Sequence, residues 1–294
     1  MHINDVTWKS IRDEFVPGLS YWDKDKEMSH FPLIPETVIN WTVEGPRRCI
    51  GRRDEFKEFT PCPFNSMVVK GKKCYECGNM DGFDPCIRCT GSACNASPFR
   101  HKECQSSQYV LYLAYFSDGS LKVGVSSSHR VRTRWVEQGA DYACVIAEVT
   151  GGDNARRLEQ KLGKNRGVRL AIPGSTKAST IRNSTSLEDA EGIFREFLDE
   201  SDCPECRDEI QIEDMMPHYN LQDLAAEPLS WPDRSLPLVG QQIHGKVLGM
   251  KGALLVTYIG HAYRIISLKK LVGYTLENSI KKPVISQTGL FDFI

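Results

Sequence analysis

The sequence predicts an α+β protein composed of several small units. Three patterns predict this class: a cysteine-rich stretch, short strands and helices that alternate after it, and closely spaced strands near the C-terminal end. These patterns divide the 294 residues into five regions, which are residues 1–45, 46–107, 108–182, 183–236 and 237–294.

Residues 1–45 are predicted to be an acidic and irregular segment. Within it, Thr37–Val43 has the β character of a strand and no helical period. We expect the aromatic residues Trp8, Tyr21, Trp22 and Trp41 to anchor the segment on the C-terminal unit.

Eight of the eleven cysteines fall in the second region. The pairs Cys74–Cys77 and Cys86–Cys89 each contain two intervening residues, so a tight turn can aim both sulfurs at one ion. Two such pairs predict a zinc-ribbon-like module with a closed, structural four-thiolate Zn²⁺ site. Basic residues surround both pairs, as expected of a ribbon that faces nucleic acid.

The further cysteines of this region are enough to bind a second zinc ion. Cys62, Cys94 and Cys104 are available for it, with His101 as an additional candidate ligand. Cys49 could join either site or be a buried apolar thiol. Disulfides, a redox pair and an iron–sulfur cluster are the competing interpretations, and the absence of a secretion signal disfavours the first of them.

Residues 108–182 are predicted to form a small α/β unit. The strands Tyr109–Phe116 and Leu121–Val125 are joined by an Asp-Gly turn, and Tyr142–Val149 is a third apolar strand. Helices are predicted over His129–Gln138 and Asn154–Leu162.

The last two regions are predicted to be an acidic helix with a linker, and a β unit. The helix spans residues 186–200 and begins at Ser186. The pair Cys203–Cys206 follows it and is open to three interpretations: part of a metal site, a redox pair or an incidental spacing. After the proline-containing linker, four strands between residues 240 and 277 predict a small β-barrel-like unit, completed by strands from residues 37–60.

The charge is unevenly distributed although the formal net charge is −1. Between Pro46 and Arg182 there are 23 Lys and Arg against 13 Asp and Glu, whereas the flanking regions are acidic. Such separation is typical of a cationic surface for a polyanion, or of packed units that neutralise each other. No apolar run reaches the ~20 residues of a membrane span, and the N-terminus does not resemble a signal peptide. We therefore expect a cytoplasmic protein without a membrane partner.

The third region carries residues that resemble the GIY-YIG nuclease superfamily. These are Tyr112-Leu-Ala on the first strand, Lys122-Val-Gly on the second, and then Arg130, Arg134 and Glu159. The resemblance covers residues 109–162 and implies a GIY-YIG-like core, a three-stranded antiparallel sheet flanked by helices.

Nearly the whole chain also resembles an uncharacterised family, mostly archaeal and actinobacterial, that combines cysteine knuckles with such a core. Two runs carry this second resemblance. The first is Pro85-Cys-x-Arg-Cys-Thr-Gly91 followed by Cys94, and the second is Lys122-Val-Gly-Val followed by Arg130 and by Arg134-Trp-x-Glu-Gln-Gly-Ala140.

The nuclease resemblance implies a role for each of its residues. Tyr112 would lie beside the scissile phosphate, and Lys122 replaces the second tyrosine of the motif. Arg130 or Arg134 would hold the phosphate, and Glu159 would bind a divalent metal, Mg²⁺ or Mn²⁺.

The predicted function is that of a zinc-stabilised protein that interacts with nucleic acid and has a GIY-YIG-like core. If the protein is an enzyme, the predicted reaction is metal-dependent phosphodiester cleavage. RNA is slightly favoured over DNA by analogy with knuckles beside small β units. Two alternatives remain: a binding module that grips phosphate without cutting it, and a nucleic-acid modification enzyme with Cys203 and Cys206 as reactive thiols.

Overall fold

Two large β-sheets organise the chain. The computed structural model describes residues 1–12, 14–165, 167–169, 171–222, 224, 229–231, 237–260 and 262–279. Within these ranges the protein is a mixed α+β structure that contains a nine-stranded sheet, a four-stranded sheet, a two-stranded ribbon and seven α-helices.

The elements have the following bounds. The strands are β1 (His2–Ile11), β2 (Glu14–Trp22), β3 (Met28–Pro32), β4 (Val38–Glu44), β5 (Arg52–Arg53), β6 (Phe59–Thr60), β7 (Gln108–Phe116), β8 (Ser120–Ser127), β9 (Tyr142–Thr150), β10 (Ile212–Asp214), β11 (Leu229–Ser230), β12 (Gln242–Lys251), β13 (Leu254–Ile259), β14 (Ala262–Ser267) and β15 (Thr275–Asn278). The helices are α1 (Tyr75–Asn79), α2 (Asp84–Ile87), α3 (Pro98–Ser106), α4 (Val131–Gln138), α5 (Gly152–Leu162), α6 (Gly174–Ser179) and α7 (Leu187–Glu200).

The nine-stranded sheet combines both ends of the chain. Its order is β11-β14-β13-β12-β4-β15-β1-β2-β3, so β4 lies between β12 and β15. The strand predicted over Thr37–Val43 is confirmed by β4, but the expectation that the rest of residues 1–45 is irregular is wrong, because it supplies β1, β2 and β3. The barrel-like closure of the C-terminal unit remains a prediction, and residues 280–294 of that unit lie outside the described residues.

The aromatic residues of the N-terminal strands are tied to more distant parts of the chain. Trp8 Nε1 donates to the Gly252 carbonyl and Trp22 Nε1 to the Ile50 carbonyl, each at 2.8 Å. A buried indole N–H needs such a partner, so these contacts fix how β1 and β2 lie against the rest of the protein.

The four-stranded sheet has the order β10-β9-β7-β8, with antiparallel neighbours throughout. Three of its strands agree with the predicted ones to within two residues at each end. The fourth, β10, is a short edge strand that pairs with β9.

Strand β7 is buried on both faces. Alternate residues pack into two different hydrophobic clusters, since side chains of a strand point to opposite sides in turn. Helices α5 and α7 cover one face, with Leu158 and Phe194 in the core. Helix α4 covers the other face through Trp135 and separates β7 from the nine-stranded sheet.

A buried ion pair connects the two sheets. Lys251 at the end of β12 lies 2.5 Å from Asp141 just before β9, and both side chains are buried. Next to this pair, Gly139 and Gly252 approach so closely that a Cβ on Gly139 would lie 3.0 Å from Gly252 N. Gly139 also ends α4 with a left-handed φ of 70°, a conformation that glycine adopts without strain.

None of the described helices combines the length and the apolar character that crossing a membrane requires.

Candidate nucleic-acid cavity and thiolate sites

All five residues singled out by the nuclease resemblance line one cavity of about 700 Å³. Tyr112 lies on β7, Lys122 on β8 and Glu159 on α5. Arg130 lies in the 3-10 turn before α4, and Arg134 lies on α4 itself. The sheet and its two helices therefore bring these side chains to a single concave surface.

Basic side chains dominate the charged lining of this cavity. In the part of the chain that the structure describes, eight basic residues and three carboxylates line it. The basic residues are Arg53, Lys72, Lys122, Arg130, Arg134, Arg156, Lys177 and Lys269, and the acidic ones are Asp5, Glu137 and Glu159.

Two of the carboxylates hold arginines in place. Glu137 accepts from Arg134 Nη1 at 2.6 Å and from Arg130 Nη2 at 3.2 Å. Glu159 accepts from Arg156 Nη1 at 2.7 Å. Arg132, between the two cavity arginines of α4, instead pairs with Glu213 at 2.7 Å, as expected for a residue on another side of the helix.

Tyr112 is 1% exposed, and its hydroxyl accepts a hydrogen bond from Gln138 Nε2 at 2.5 Å. Burial raises the pKa of Tyr112, so the phenol is neutral at physiological pH. A neutral phenol that accepts from Gln138 retains its own proton, which it can donate to an oxygen of a bound anion.

The cavity lysines repel one another. Burial, followed by the charges of Lys269 and Lys122, lowers the pKa of Lys177 to about 7. Burial also lowers the pKa of Lys122, although the charge of Glu159 opposes this, and it lowers that of Lys269. Lys177 donates to the Gln138 carbonyl, which places its ammonium beside the residue that bonds Tyr112.

Sequence reasoning did not identify Lys177 and Lys269. They come from α6 and from the 3-10 turn that follows β14, and neither lies in a recognisable motif. Their contribution becomes visible only when the two sheets pack together.

A separate cluster is formed by four cysteines, Cys49, Cys62, Cys74 and Cys77. Their sulfurs all lie within 4.8 Å of one another, and three of the four residues are buried. The predicted site combined Cys74 and Cys77 with Cys86 and Cys89, so the structure corrects the partners of the first pair. The ribbon of β5 and β6 is responsible, because it folds the chain back between Cys49 and Cys62 and brings both to the start of α1.

Backbone N–H groups point at these sulfurs. The Gly51 and Cys74 amides donate to Cys49 Sγ at 3.4 and 3.2 Å, and the Cys77 amide donates to Cys74 Sγ at 3.5 Å. Burial by itself would raise the pKa of Cys62, but the amides of Ser66 and Phe64 lower it to about 7. N–H groups that favour thiolates are what a metal site requires, and four cysteines at this distance could hold an ion such as zinc.

The remaining cysteines have three different environments. Cys86, Cys89, Cys94 and Cys104 line a small cavity of about 140 Å³. Cys203 and Cys206 form a disulfide, which is also the oxidised form of a redox pair. Cys144 is a free thiol buried in the core beside α5 and α7.

Comparison with curated proteins finds no match, and neither does comparison with solved structures. Residues 38–276 match the family model described as Protein of unknown function (DUF2797). This range contains the four-stranded sheet, both groups of cysteines and all eight basic residues of the large cavity. A match over so much of the chain shows that the protein belongs to the DUF2797 family.

Proposed function

We propose that this protein binds nucleic acid in the large cationic cavity, with a backbone phosphate near Tyr112, Lys122 and Arg134. The observation that supports this most directly is the convergence of eight basic side chains on one cavity in a chain whose net charge is −1. Basic residues concentrated on one surface are the electrostatic footprint of a polyanion site.

The lysine electrostatics support an anionic ligand. Three ammonium groups with lowered pKa values face one another across the cavity, and a phosphate between them would relieve their repulsion. Arginines suit phosphate oxygens because the planar guanidinium presents paired N–H donors. Glu137 pre-orients two of these arginines and so reduces the entropy that binding would cost.

The thiolate cluster would contribute as a structural support. A zinc ion on Cys49, Cys62, Cys74 and Cys77 would fix the loops on either side of it. Arg53 and Lys72 line the cavity from these same loops. Zinc would therefore stabilise one wall of the nucleic-acid site without contacting the ligand.

Binding is tested by fluorescence anisotropy with labelled single-stranded RNA, single-stranded DNA and both duplexes over a series of salt concentrations. We expect Lys122→Ala and Arg134→Ala to weaken binding, and each to reduce the slope of log K against log salt by ~1.

The matched control is Arg132→Ala, which removes an arginine from the same helix but outside the cavity. It should leave affinity and slope unchanged. An equal loss in this variant, or binding that does not depend on salt, would contradict the proposal. The preferred probe decides between RNA and DNA.

Metal-dependent phosphodiester cleavage is the second candidate, favoured by the position of Glu159. Its carboxylate lies in the same cavity as Tyr112 and Lys122, and its charge influences the pKa of both. The order of strands and helices in this region supports a GIY-YIG-like core. A hard cation such as Mg²⁺ or Mn²⁺ could bind through this one carboxylate, keep most of its waters and polarise a phosphate oxygen.

Cleavage is tested with Glu159→Gln in the presence and absence of Mg²⁺. Loss of cleavage with binding retained is expected, because the variant removes the charged metal ligand while its amide oxygen can still accept the hydrogen bond from Arg156. Glu191→Gln is the control, since Glu191 on α7 also pairs with an arginine of its own helix but lies outside the cavity. Full activity in Glu159→Gln would exclude this chemistry and leave binding as the function.

A further inference from the structure

The second group of cysteines meets around one small cavity. Cys86 lies on α2, Cys89 and Cys94 lie in the loop after it, and Cys104 lies on α3. The four side chains line a cavity of about 140 Å³. Among the described residues, only the first cluster has four sulfurs that all lie within 4.8 Å of one another. In the second group, Cys86, Cys89 and Cys94 lie on a four-residue helix and the loop after it.

The two groups of cysteines share one local backbone arrangement. In Cys49-Ile-Gly51, the glycine amide donates to the cysteine sulfur at 3.4 Å, and in Cys89-Thr-Gly91 the equivalent distance is 3.3 Å. Both glycines have a left-handed φ, 99° and 82°. In both cases a Cβ would collide with backbone, 2.0 Å from Thr60 O and 2.5 Å from Asp153 O.

This repetition is informative because the first example belongs to the cluster of four close sulfurs. An N–H group aimed at sulfur stabilises the anionic thiolate, which is the form that binds metal. The chain around Cys89 is therefore organised for a thiolate in the same way as the chain around Cys49.

A buried cation lies beside the second group. Arg100 on α3 is 7% exposed, and its Nη2 lies 4.0 Å from Cys86 Sγ. Its Nε is buried without a hydrogen-bond partner among the described residues. Four thiolates around Zn²⁺ carry a net charge of −2, and a buried guanidinium would offset part of it.

We propose that Cys86, Cys89, Cys94 and Cys104 bind a second structural zinc ion. Four sulfur ligands without an open position favour Zn²⁺ in a structural role. Each thiol loses its proton to solvent on binding, and no electron is transferred. The ring of Tyr109 lines the same small cavity next to Cys104, where it would supply an outer contact of the kind that orients metal ligands.

The second zinc site is adjacent to the cationic cavity. Cys86, Tyr109 and Arg156 line both spaces. Arg156 is also the residue that pairs with Glu159. Zinc at this position would therefore fix the part of the wall of the large cavity that Cys86, Tyr109 and Arg156 form.

Alkylation of the wild-type chain tests the proposal without any substitution. The full-length protein, purified with Zn²⁺, is treated with iodoacetamide and its peptides are analysed by mass spectrometry. Cys94 is exposed and would react at once as a free thiol. We expect it to be protected until a chelator removes zinc, after which all four cysteines react together. Rapid alkylation of Cys94 in the zinc-loaded protein would overturn the proposal.

Zinc content of single variants assigns each ion. The wild-type chain should contain two zinc ions. Cys86→Ser and Cys104→Ser should each contain one, because they lose the proposed second ion. Cys77→Ser should also contain one, because it loses the ion of the first cluster. Cys144→Ala is the control, because Cys144 is a buried thiol outside both groups, and it should retain both. One zinc ion in wild type that survives Cys86→Ser, or iron in place of zinc, would exclude the second zinc site.

Discussion

The ring of Tyr112 on β7 packs directly against Gly124, its cross-strand partner on β8. A Cβ at position 124 would lie 2.3 Å from Tyr112 Cζ and 2.4 Å from its hydroxyl oxygen. No side chain larger than hydrogen fits while Tyr112 keeps its bond to Gln138.

We therefore expect Gly124→Ala to displace Tyr112 and to destabilise the fold by about 1–3 kcal/mol, the usual cost of overpacking. Chemical denaturation measures the change, and anisotropy measures the accompanying loss of nucleic-acid affinity. Gly192→Ala on α7 is the control, since nothing lies within 4 Å of its Cβ position. That variant should be neutral or stabilising by up to ~1 kcal/mol. Equal effects of the two substitutions would show that the Tyr112 contact is unimportant.

Nucleic-acid affinity should fall as pH rises through about 7, where Lys177 loses its proton in the free protein. Lys177→Arg should abolish this dependence, because a guanidinium stays charged throughout. The pH dependence of affinity is measured by anisotropy titrations between pH 6 and pH 8.5 at constant ionic strength. Lys161→Arg, on the exposed surface of α5, is the control, and its affinity should depend on pH in the same way as that of wild type. A wild-type affinity that is constant over this interval would contradict the role of Lys177.

The same lysine predicts a pH dependence of stability. In the unfolded chain Lys177 has the ordinary pKa of 10.5, whereas in the fold it is about 7. Between these values the unfolded state binds more protons, so the contribution of Lys177 to stability rises with pH in this interval. Below about 7 both states are protonated and the cost of burying the charge is fully present. Lys177→Met should therefore stabilise the protein at neutral pH and flatten the rise, which denaturation at several pH values would detect.

Loss of one partner of the Lys251–Asp141 pair should be costly. Lys251→Met leaves a buried carboxylate whose only remaining contact among the described residues is the Ser117 amide, at 2.9 Å. Breaking a buried ion pair in this way costs ~3–5 kcal/mol.

A double-mutant cycle with Asp141→Asn measures the coupling, and the double variant should recover part of the loss. The exposed pair of Glu191 and Arg195 serves for comparison, and such surface pairs contribute only ~0.3–0.5 kcal/mol. A coupling no larger than that of the exposed pair would mean that Lys251 and Asp141 do not hold the sheets together.

Metal removal should affect nucleic-acid binding indirectly. Cys77→Ser takes one sulfur from the cluster that supports Arg53 and Lys72. We expect this variant to lower both the melting temperature and the affinity. A chelator should lower the melting temperature of the wild type toward that of the variant. Differential scanning fluorimetry with and without chelator measures the first effect. A wild-type melting temperature that chelator leaves unchanged would contradict a structural metal.

Strands β7, β8 and β9 and helices α4, α5 and α7 could be predicted because local pattern determines them. β7 is an unbroken apolar run, an Asp-Gly turn follows it, and α7 begins where the Ser186 hydroxyl accepts the Asp189 amide. Strands β1, β2 and β3 could not be predicted, because their polar and aromatic residues become a pattern only beside β15 and β4. Strand pairing over more than 200 residues leaves no local signal.

The site residues also divide into those that local sequence predicts and those that only the tertiary fold brings together. Tyr112, Lys122 and Glu159 follow a recognisable spacing and line one cavity. The partners of Cys74 could not be deduced, because they depend on a two-stranded ribbon that only four residues form. Spacing identifies a pair of ligands, but the tertiary fold decides which pairs share an ion.

The two-sided burial of β7 limits what change this strand tolerates. One inserted residue near its start would exchange the faces, since side chains alternate along a strand. Tyr112 would then point toward Phe194 and α7, and Leu111 or Leu113 would occupy the cavity wall. Loops in this protein can vary in length without moving the phenol, but β7 cannot. The position of the Tyr112 hydroxyl in the cavity wall therefore depends on the register of residues along one strand.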